Sequence, residues 1–405
     1  MRKIKNVIIV CDYAYVEGGA TKVALQTVEA LAKYTSLKVI CFVGCGIPSN
    51  ELLQSGADFV TLQMQDLLGN KSKIRAAIQG IYNFKSSKKL KELLLNYNRE
   101  DTVVHIHTWT KVLSCSIFNV CKKLKFRTFL TVHDYFVSCP NGSYYNFKTN
   151  KICELKPMGL NCCICNCDSR SYFQKVWRLM RQIVQNRVIN NFEKLNYVFI
   201  SNFQKYQLER RYKKCRFSYL LKNPIYSKAI SRIQVEKNEY YLFIGRVDQE
   251  KGVDLFCKSV TEAGVHGVVI GKGKMERALR QNYPNIDFLG WKNKEEIIEI
   301  LKKARILLFT SVWYEGSPLT TAEVLSYGIP CIVTNCSSAL EDITDNKNGF
   351  IVEKNVKSIV KAIENAKLDS VVQQLSISAF ETFDRKRLSL DFYANSLLRL
   401  YNDIK

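Results

Sequence analysis

Apolar, β-branched runs alternate with helix-forming stretches along almost the whole chain, and the alternation starts over once. Val7–Cys11, Lys38–Val43, Thr102–His107, Arg127–Val132 and Tyr197–Ser201 read as strands. They are continuous apolar runs, as strands become when helices cover both faces of a sheet. Lys22–Tyr34 reads as an amphipathic helix, and another is expected near 112–123. Strand–helix order of this kind predicts a doubly wound parallel sheet. After a polar stretch at 227–239 a second set begins with Tyr240–Ile244, Gly267–Ile270 and Ile286–Leu289. It continues through Ile306–Thr310, Pro330–Val333 and Gly349–Val352. The expected class is α/β, with two Rossmann-like doubly wound domains at 1–222 and 223–384, and a last helix in 385–405. A chain of 405 residues suffices for two such cores.

Charge separates the halves. The net charge is +23, yet residues 1–220 hold 34 basic against 14 acidic side chains and the remainder 26 against 23. The excess therefore lies in the first half, where Lys88, Lys122 and Arg178 are among its carriers. Such a surface attracts an anionic partner: a nucleic acid, an anionic lipid or an anionic substrate. No apolar run reaches 18 residues, so a spanning helix is not expected. The opening run Val7–Val10 is cut off by Asp12 and reads as a buried strand rather than a signal peptide. Many of the 15 cysteines sit inside strands, which fits small apolar core residues in a reducing compartment.

Three segments carry chemistry. Gly18-Gly19 follows the first strand and opens the first helix, where bare backbone can approach an anion. A plain tight turn explains that pair equally well. Gly245-Arg246 ends the first strand of the second half, and Lys251-Gly252 opens the next helix. A guanidinium fork and an ammonium at a strand's C-terminal end suit a diphosphate. In the third segment, Glu315-Gly316-Ser317-Pro318-Leu319-Thr320 leads into a helix that contains Glu323. Two carboxylates around a helix N-terminus can accept from hydroxyls while the N–H groups take phosphate.

Together these segments resemble family 4 of the retaining glycosyltransferases, of GT-B fold, in which two Rossmann-like domains face across a cleft. The resemblance covers essentially the whole chain, in the right order, and implies that the last helix, in 385–405, packs back on the first domain. It implies that Gly19, with Gly18, brings backbone toward the donor diphosphate. Arg246 and Lys251 would neutralise that diphosphate, Glu315 would hold the donor sugar, and Glu323 the ribose. The backbone N–H groups of Leu319 and Thr320, beside Gly316 and Ser317, would meet phosphate. Gly271 would form the nucleotide-side turn and Trp291 would line the base pocket. His133, at the end of the strand Arg127–Val132, matches the family histidine that contacts the donor sugar. The donor would be a nucleoside-diphosphate sugar, UDP-linked in preference to GDP-linked. No D-x-D motif is present, so no catalytic divalent metal is expected.

Cys139, Cys153, Cys162, Cys163, Cys165 and Cys167 fall within 29 residues. Close-spaced thiolates suit a structural Zn²⁺ or an iron–sulfur cluster. Cys139, Cys153, Cys162 and Cys167 are the expected ligands, with Cys163 or Cys165 as replacements; loose thiols or a redox-dependent disulfide are the other readings. The segment 139–170 resembles an insertion of a bacterial polysaccharide subgroup, in capsule or lipopolysaccharide assembly. That resemblance and the basic half imply a lipid-diphosphate-linked glycan acceptor and peripheral attachment to the inner, anionic face of the cell membrane. A soluble glycan synthase of the same fold and a non-catalytic nucleic-acid or anion binder are the rival readings. Nucleic acid is disfavoured by the intact Arg246, Lys251, Glu315 and Glu323.

Overall fold

The computed structural model describes residues 3–403, apart from 213, 214, 216 and 226–228. Ser227, the start of the expected polar joint, lies outside the described residues. The strands in chain order are β1 (Asn6–Tyr13), β2 (Lys38–Cys45), β3 (Asp58–Thr61), β4 (Thr102–Ile106) and β5 (Arg127–Val132). A short hairpin follows, β6 (Tyr145–Asn146) and β7 (Lys151–Ile152), then β8 (Leu195–Phe199) and β9 (Phe217–Leu220). The rest are β10 (Tyr240–Ile244), β11 (Gly267–Ile270), β12 (Asp287–Gly290), β13 (Ala304–Phe309), β14 (Cys331–Thr334) and β15 (Gly349–Val352).

Among the described residues seven strands form one sheet in the order β3-β2-β1-β4-β5-β8-β9, and six form another in the order β12-β11-β10-β13-β14-β15. Pairing within both is parallel, with Ile8 opposite Ile40 and Val104, and Leu242 opposite Val268 and Leu307. Both orders reverse beside their first strand, at β1/β4 and β10/β13. Doubly wound sheets bind ligands at such a switch, outside the carboxyl ends of the strands. The fold is thus two Rossmann-like domains.

One compact unit holds Met1–Tyr144, Glu154–Pro224 and Arg387–Lys405, and the other Tyr145–Cys153 and Ile225–Lys386. The hairpin β6/β7 therefore groups with the second unit, although its sequence lies inside the expected first-domain insertion. Its aromatic residues account for this: the Tyr145 ring lies 5.2 Å from Phe147 and 6.5 Å from Trp313.

In the first unit, helix Gly19–Tyr34 buries Ala24, Val28 and Leu31, at i, i+4 and i+7, against β1 and β2. The last helix, Leu390–Asp403, joins the same core through Tyr393, Leu397 and Tyr401. Tyr401 is fully buried, and its hydroxyl meets His105 Nδ1 at 2.6 Å, while Arg127 donates to its carbonyl at 2.8 Å. In the second unit, helix Val253–Glu262 buries Val253, Phe256, Cys257 and Val260 on one face. Among the described residues no helix is long and apolar enough to cross a membrane.

Tyr401 carries both a ring and a polar bond, so its removal tests the docking of the last helix. Tyr401→Ala is expected to cost about 3–5 kcal/mol in chemical denaturation, as for other buried aromatic truncations. Tyr401→Phe keeps the ring but leaves His105 Nδ1 without this partner, and should cost about 1–3 kcal/mol. Equal effects of the two substitutions would show that the hydroxyl alone matters.

Candidate functional site

The second unit assembles its charged residues at the β10/β13 switch. After β10 the chain turns into a short 3₁₀ segment, Gln249–Lys251, and Gly252 follows with φ of 65°. A Cβ on Gly252 would stand 1.9 Å from the Thr310 carbonyl oxygen, so only glycine fits against the end of β13. Thr310 Oγ1 donates to Gly252 O at 2.7 Å, and Val312 N donates to Glu250 O at 3.0 Å. The loops after the two strands are therefore bonded to each other. Gly245 N donates to Ile270 O and Gly271 N to Gly290 O, which aligns the ends of β10, β11 and β12 on the same edge. Gly271 has φ of 135°, and a Cβ there would meet Gly245 O at 1.9 Å. Arg246, Gly271 and Trp291 thus leave one edge of one sheet, and Trp291 is largely exposed.

Glu315 is the centre of this edge. One carboxylate oxygen, Oε1, accepts from Lys251 Nζ at 2.5 Å, Trp313 Nε1 at 2.6 Å and Ser311 Oγ at 2.9 Å. Burial by itself would push this carboxyl up. The Lys251 ammonium and the three donors outweigh burial and hold it below the usual carboxylate range. The backbone is tied as well, since Ser338 N donates to Glu315 O at 3.1 Å. Arg246 forms ion pairs with Asp248 and Glu250, each at 2.7 Å, and keeps 55% of its side chain exposed. The indole of Trp313 lies 5.2 Å from Lys251 Nζ and 5.9 Å from the Arg246 guanidinium.

Gly316, Ser317 and Pro318 lead into helix Leu319–Ser326, which has no side-chain cap bond at its N-terminus. Its first N–H groups, on Leu319 and Thr320, have no intrahelical acceptor. Glu323 lies on this helix and is half-buried. Ser311 and Trp313 were missed as Glu315 partners in the sequence reading. Their offsets of four and two residues from Glu315 were a readable signal.

In the first unit, Gly18 caps helix Gly19–Tyr34 in an extended conformation, and a Cβ on it would meet nothing within 4 Å. Neither sterics nor backbone strain requires glycine at this position. His133 follows β5 and puts Nε2 3.0 Å from His107 Nδ1, with the rings stacked 5.2 Å apart. Burial pushes His133 down to about 3, so its imidazole is neutral at physiological pH. His107, one residue past β4, was not singled out by sequence; only the β4–β5 pairing brings it to His133.

The expected cysteine metal centre is not assembled. Among the described residues no group of three or more His, Cys, Asp or Glu is placed to hold a metal ion. Lys175 accounts for this: its buried ammonium donates to Cys167 Sγ at 3.3 Å and to Cys162 Sγ at 3.7 Å. Cys139 Sγ is bonded to Asn141 Oδ1 at 3.0 Å, and Cys153 groups with the other unit. Cys163 and Cys165, the expected replacements, are only half-buried. Of the expected ligands, Cys162 and Cys167 are thus brought together, around a lysine ammonium.

The Glu315 carboxyl sets a pH signature. A glutamate held below its unfolded pKa of about 4.3 adds stability above that value and loses it as pH falls through the folded value. Glu315→Gln is therefore expected to melt below the parent protein near neutrality, with the gap narrowing as pH falls below the unfolded value of about 4.3. Thermal melts across this range check it; a gap that widens on acidification overturns the assignment.

The chain is similar to several known proteins. Residues 228–378 match the family model "Glycosyl transferases group 1". The chain is 23% identical to an uncharacterized 42.6 kDa protein in the cps region of Klebsiella pneumoniae, over 82% of this chain and 79% of that protein. It is 32% identical to the Escherichia coli UDP-Gal:alpha-D-GlcNAc-diphosphoundecaprenol alpha-1,3-galactosyltransferase, over 27% of this chain and 30% of the relative. Among solved structures, Anabaena Alr3699/HepE in complex with UDP and glucose superposes with a TM-score of 0.66 at 11% identity, covering 98% of this chain and 99% of that one. The chain thus carries a group 1 glycosyl transferase domain at residues 228–378, within a GT-B fold of two Rossmann-like domains.

Proposed function

We propose that the protein is a retaining, family 4 glycosyltransferase that moves a sugar from a nucleoside-diphosphate sugar to a hydroxyl of a growing, lipid-diphosphate-linked surface glycan. The observation that carries the reading is the Lys251–Glu315 pair at the β10/β13 switch, inside the segment that matches group 1. UDP is the proposed nucleotide, supported by the UDP-sugar named for the E. coli relative and the UDP bound in HepE.

Glu315 accepts from the sugar hydroxyls and Glu323 from the ribose. Arg246 and Lys251 offset charge on the departing diphosphate, where fixed donors contribute most. The Leu319 and Thr320 N–H groups, beside Gly316 and Ser317, take phosphate oxygens. Gly271 and Trp291 border the nucleoside. From the first domain, Gly18 and Gly19 offer backbone to the diphosphate, and neutral His133 offers a hydrogen bond to the sugar. The acceptor oxygen bonds to the anomeric carbon on the face that the diphosphate leaves. The anomeric carbon–oxygen bond breaks, and the acceptor proton passes to the released diphosphate. No protein nucleophile is assigned. Peripheral attachment to the inner membrane face follows from the proposed acceptor and the basic first half.

Glu315→Gln and Lys251→Ala are expected to lower transfer roughly 10²–10³-fold while the protein still folds. UDP-sugar turnover with a lipid-diphosphate glycan acceptor checks this, and near-normal rates in either variant would remove the pair from the mechanism. Turnover is also expected to survive EDTA. Prompt loss that Mn²⁺ restores would contradict a mechanism in which Arg246 and Lys251 meet the diphosphate charge.

A further inference from the structure

Helix Tyr172–Ile189, in the first unit, is built inside out. Its buried residues are Lys175, Arg181, Gln182, Gln185 and Ile189. Its exposed row is Phe173, Val176, Met180 and Ile183, at i, i+3, i+7 and i+10, with Phe173 87% exposed. Helix Lys73–Ile81 lies beside it and exposes Ile74 (76%) and Ile78. The two are joined by Trp177, whose Nε1 donates to Ala77 O at 3.0 Å. Gly80 makes the fit close, because a Cβ there would stand 2.5 Å from the Trp177 ring. Neither helix contains a carboxylate, and of their basic side chains Lys73, Arg75 and Arg187 are exposed. Contiguous apolar side chains rimmed by cations on a soluble domain mark an interaction surface.

Between the helices opens a cavity of about 380 Å³ lined by Lys73, Lys111, Arg170, Arg178 and Arg181. The carboxylate on its wall, Asp66, is committed to the Tyr13 hydroxyl (2.8 Å) and to the N–H groups of Leu68 and Gly69. Arg178 pairs with the buried Asp168 at 2.7 Å. Arg181 is buried, with its guanidinium 4.7 Å from the Phe136 ring and 5.3 Å from Trp177. Its Nη2 donates to Pro140 O at 3.2 Å, and its buried Nε has no partner. The lining thus carries five cations and one carboxylate, with Asp12 and Asp134 acting on Lys111 and Arg181 and Asp168 on Arg178, and it includes an unpaired buried donor.

We propose that these two helices lie on an anionic lipid bilayer, with the apolar row in the headgroup–acyl boundary and the cavity receiving a lipid phosphate headgroup. This rests on the lipid-linked acceptor of the proposed function and names the surface and pocket that would meet it. A row of apolar side chains with flanking cations and no carboxylates is the composition of a helix that lies in a membrane interface. It differs from helix Phe84–Leu94, whose Lys-rich face gives charge but exposes less apolar surface.

The test is flotation of the full chain with vesicles of phosphatidylcholine alone and of equal parts phosphatidylcholine and phosphatidylglycerol. The protein is expected to float with the anionic vesicles. Ile78→Glu and Phe173→Glu change exposed positions and should each lower vesicle affinity about tenfold or more, while Lys88→Glu, a charge change twice as large on helix Phe84–Leu94, should lower it far less. Flotation unchanged in Ile78→Glu and Phe173→Glu, or lowered equally by Lys88→Glu, overturns the surface. A dimer in light scattering that the same two variants dissociate assigns the face to a second copy and overturns the bilayer. Inorganic pyrophosphate is the probe for the cavity: a thermal shift lost in Lys73→Ala and Lys111→Ala, without vesicle binding, marks a soluble anion site and also overturns it. UDP-sugar turnover on a soluble acceptor separates the two readings, since its absence with flotation intact rejects the transferase and leaves the surface standing.

Discussion

The parallel pairing of β10 with β13 is the constraint on which the candidate site depends. It sets two carboxyl strand ends side by side, and the loops that leave them are then bonded through Thr310–Gly252 and Val312–Glu250. Lys251 and Glu315 lie 64 residues apart in sequence, yet this one pairing brings them to 2.5 Å. Gly252 is the hinge of the arrangement. Any side chain there would strike the Thr310 carbonyl, push the two loops apart and separate the ion pair.

Most of the second unit was legible in the sequence because its signals are local. β10, β11 and β15 are short apolar runs bounded by polar or glycine-containing turns, and Glu315 and Lys251 sit in segments whose spacing is itself the signal. Features that need a neighbouring strand were not legible. His107 reaches His133 only through the β4–β5 register, and Tyr401 reaches His105 across 296 residues. β3 and β9 were missed for a related reason: both are edge strands of four residues, half-exposed, without a continuous apolar run.

Helices Lys73–Ile81 and Tyr172–Ile189 were not read. The apolar spacing of Phe173, Val176, Met180 and Ile183 was there to find, but periodicity says nothing of whether such a stripe is buried, and here Lys175, Arg181, Gln182 and Gln185 are buried instead. The cysteine segment shows a related limit. Six thiols in 29 residues imply a metal when only spacing is considered. The cation among them comes instead from Lys175, on the following helix, and spacing between cysteines carries no information about a lysine.

Charge counting sharpens what Arg246 and Lys251 do before a donor arrives. They are bonded to Asp248, Glu250 and Glu315, so two cations face three carboxylates. Such a cluster is not a cationic pocket, and a diphosphate would add further negative charge to it. Its first role is to keep Glu315 ionised despite burial, which leaves a carboxylate ready to accept from hydroxyls. Attraction for phosphate has to come in part from groups with no carboxylate attached. The N-terminus of helix Leu319–Ser326 is one, because its positive end and first N–H groups are uncapped by any side chain. The solvent-facing part of the Arg246 guanidinium is another, since its fork has five donors and its pairs with Asp248 and Glu250 use two nitrogens. Binding a diphosphate would thus redistribute existing hydrogen bonds around Arg246 and Lys251 rather than fill a vacant positive hole.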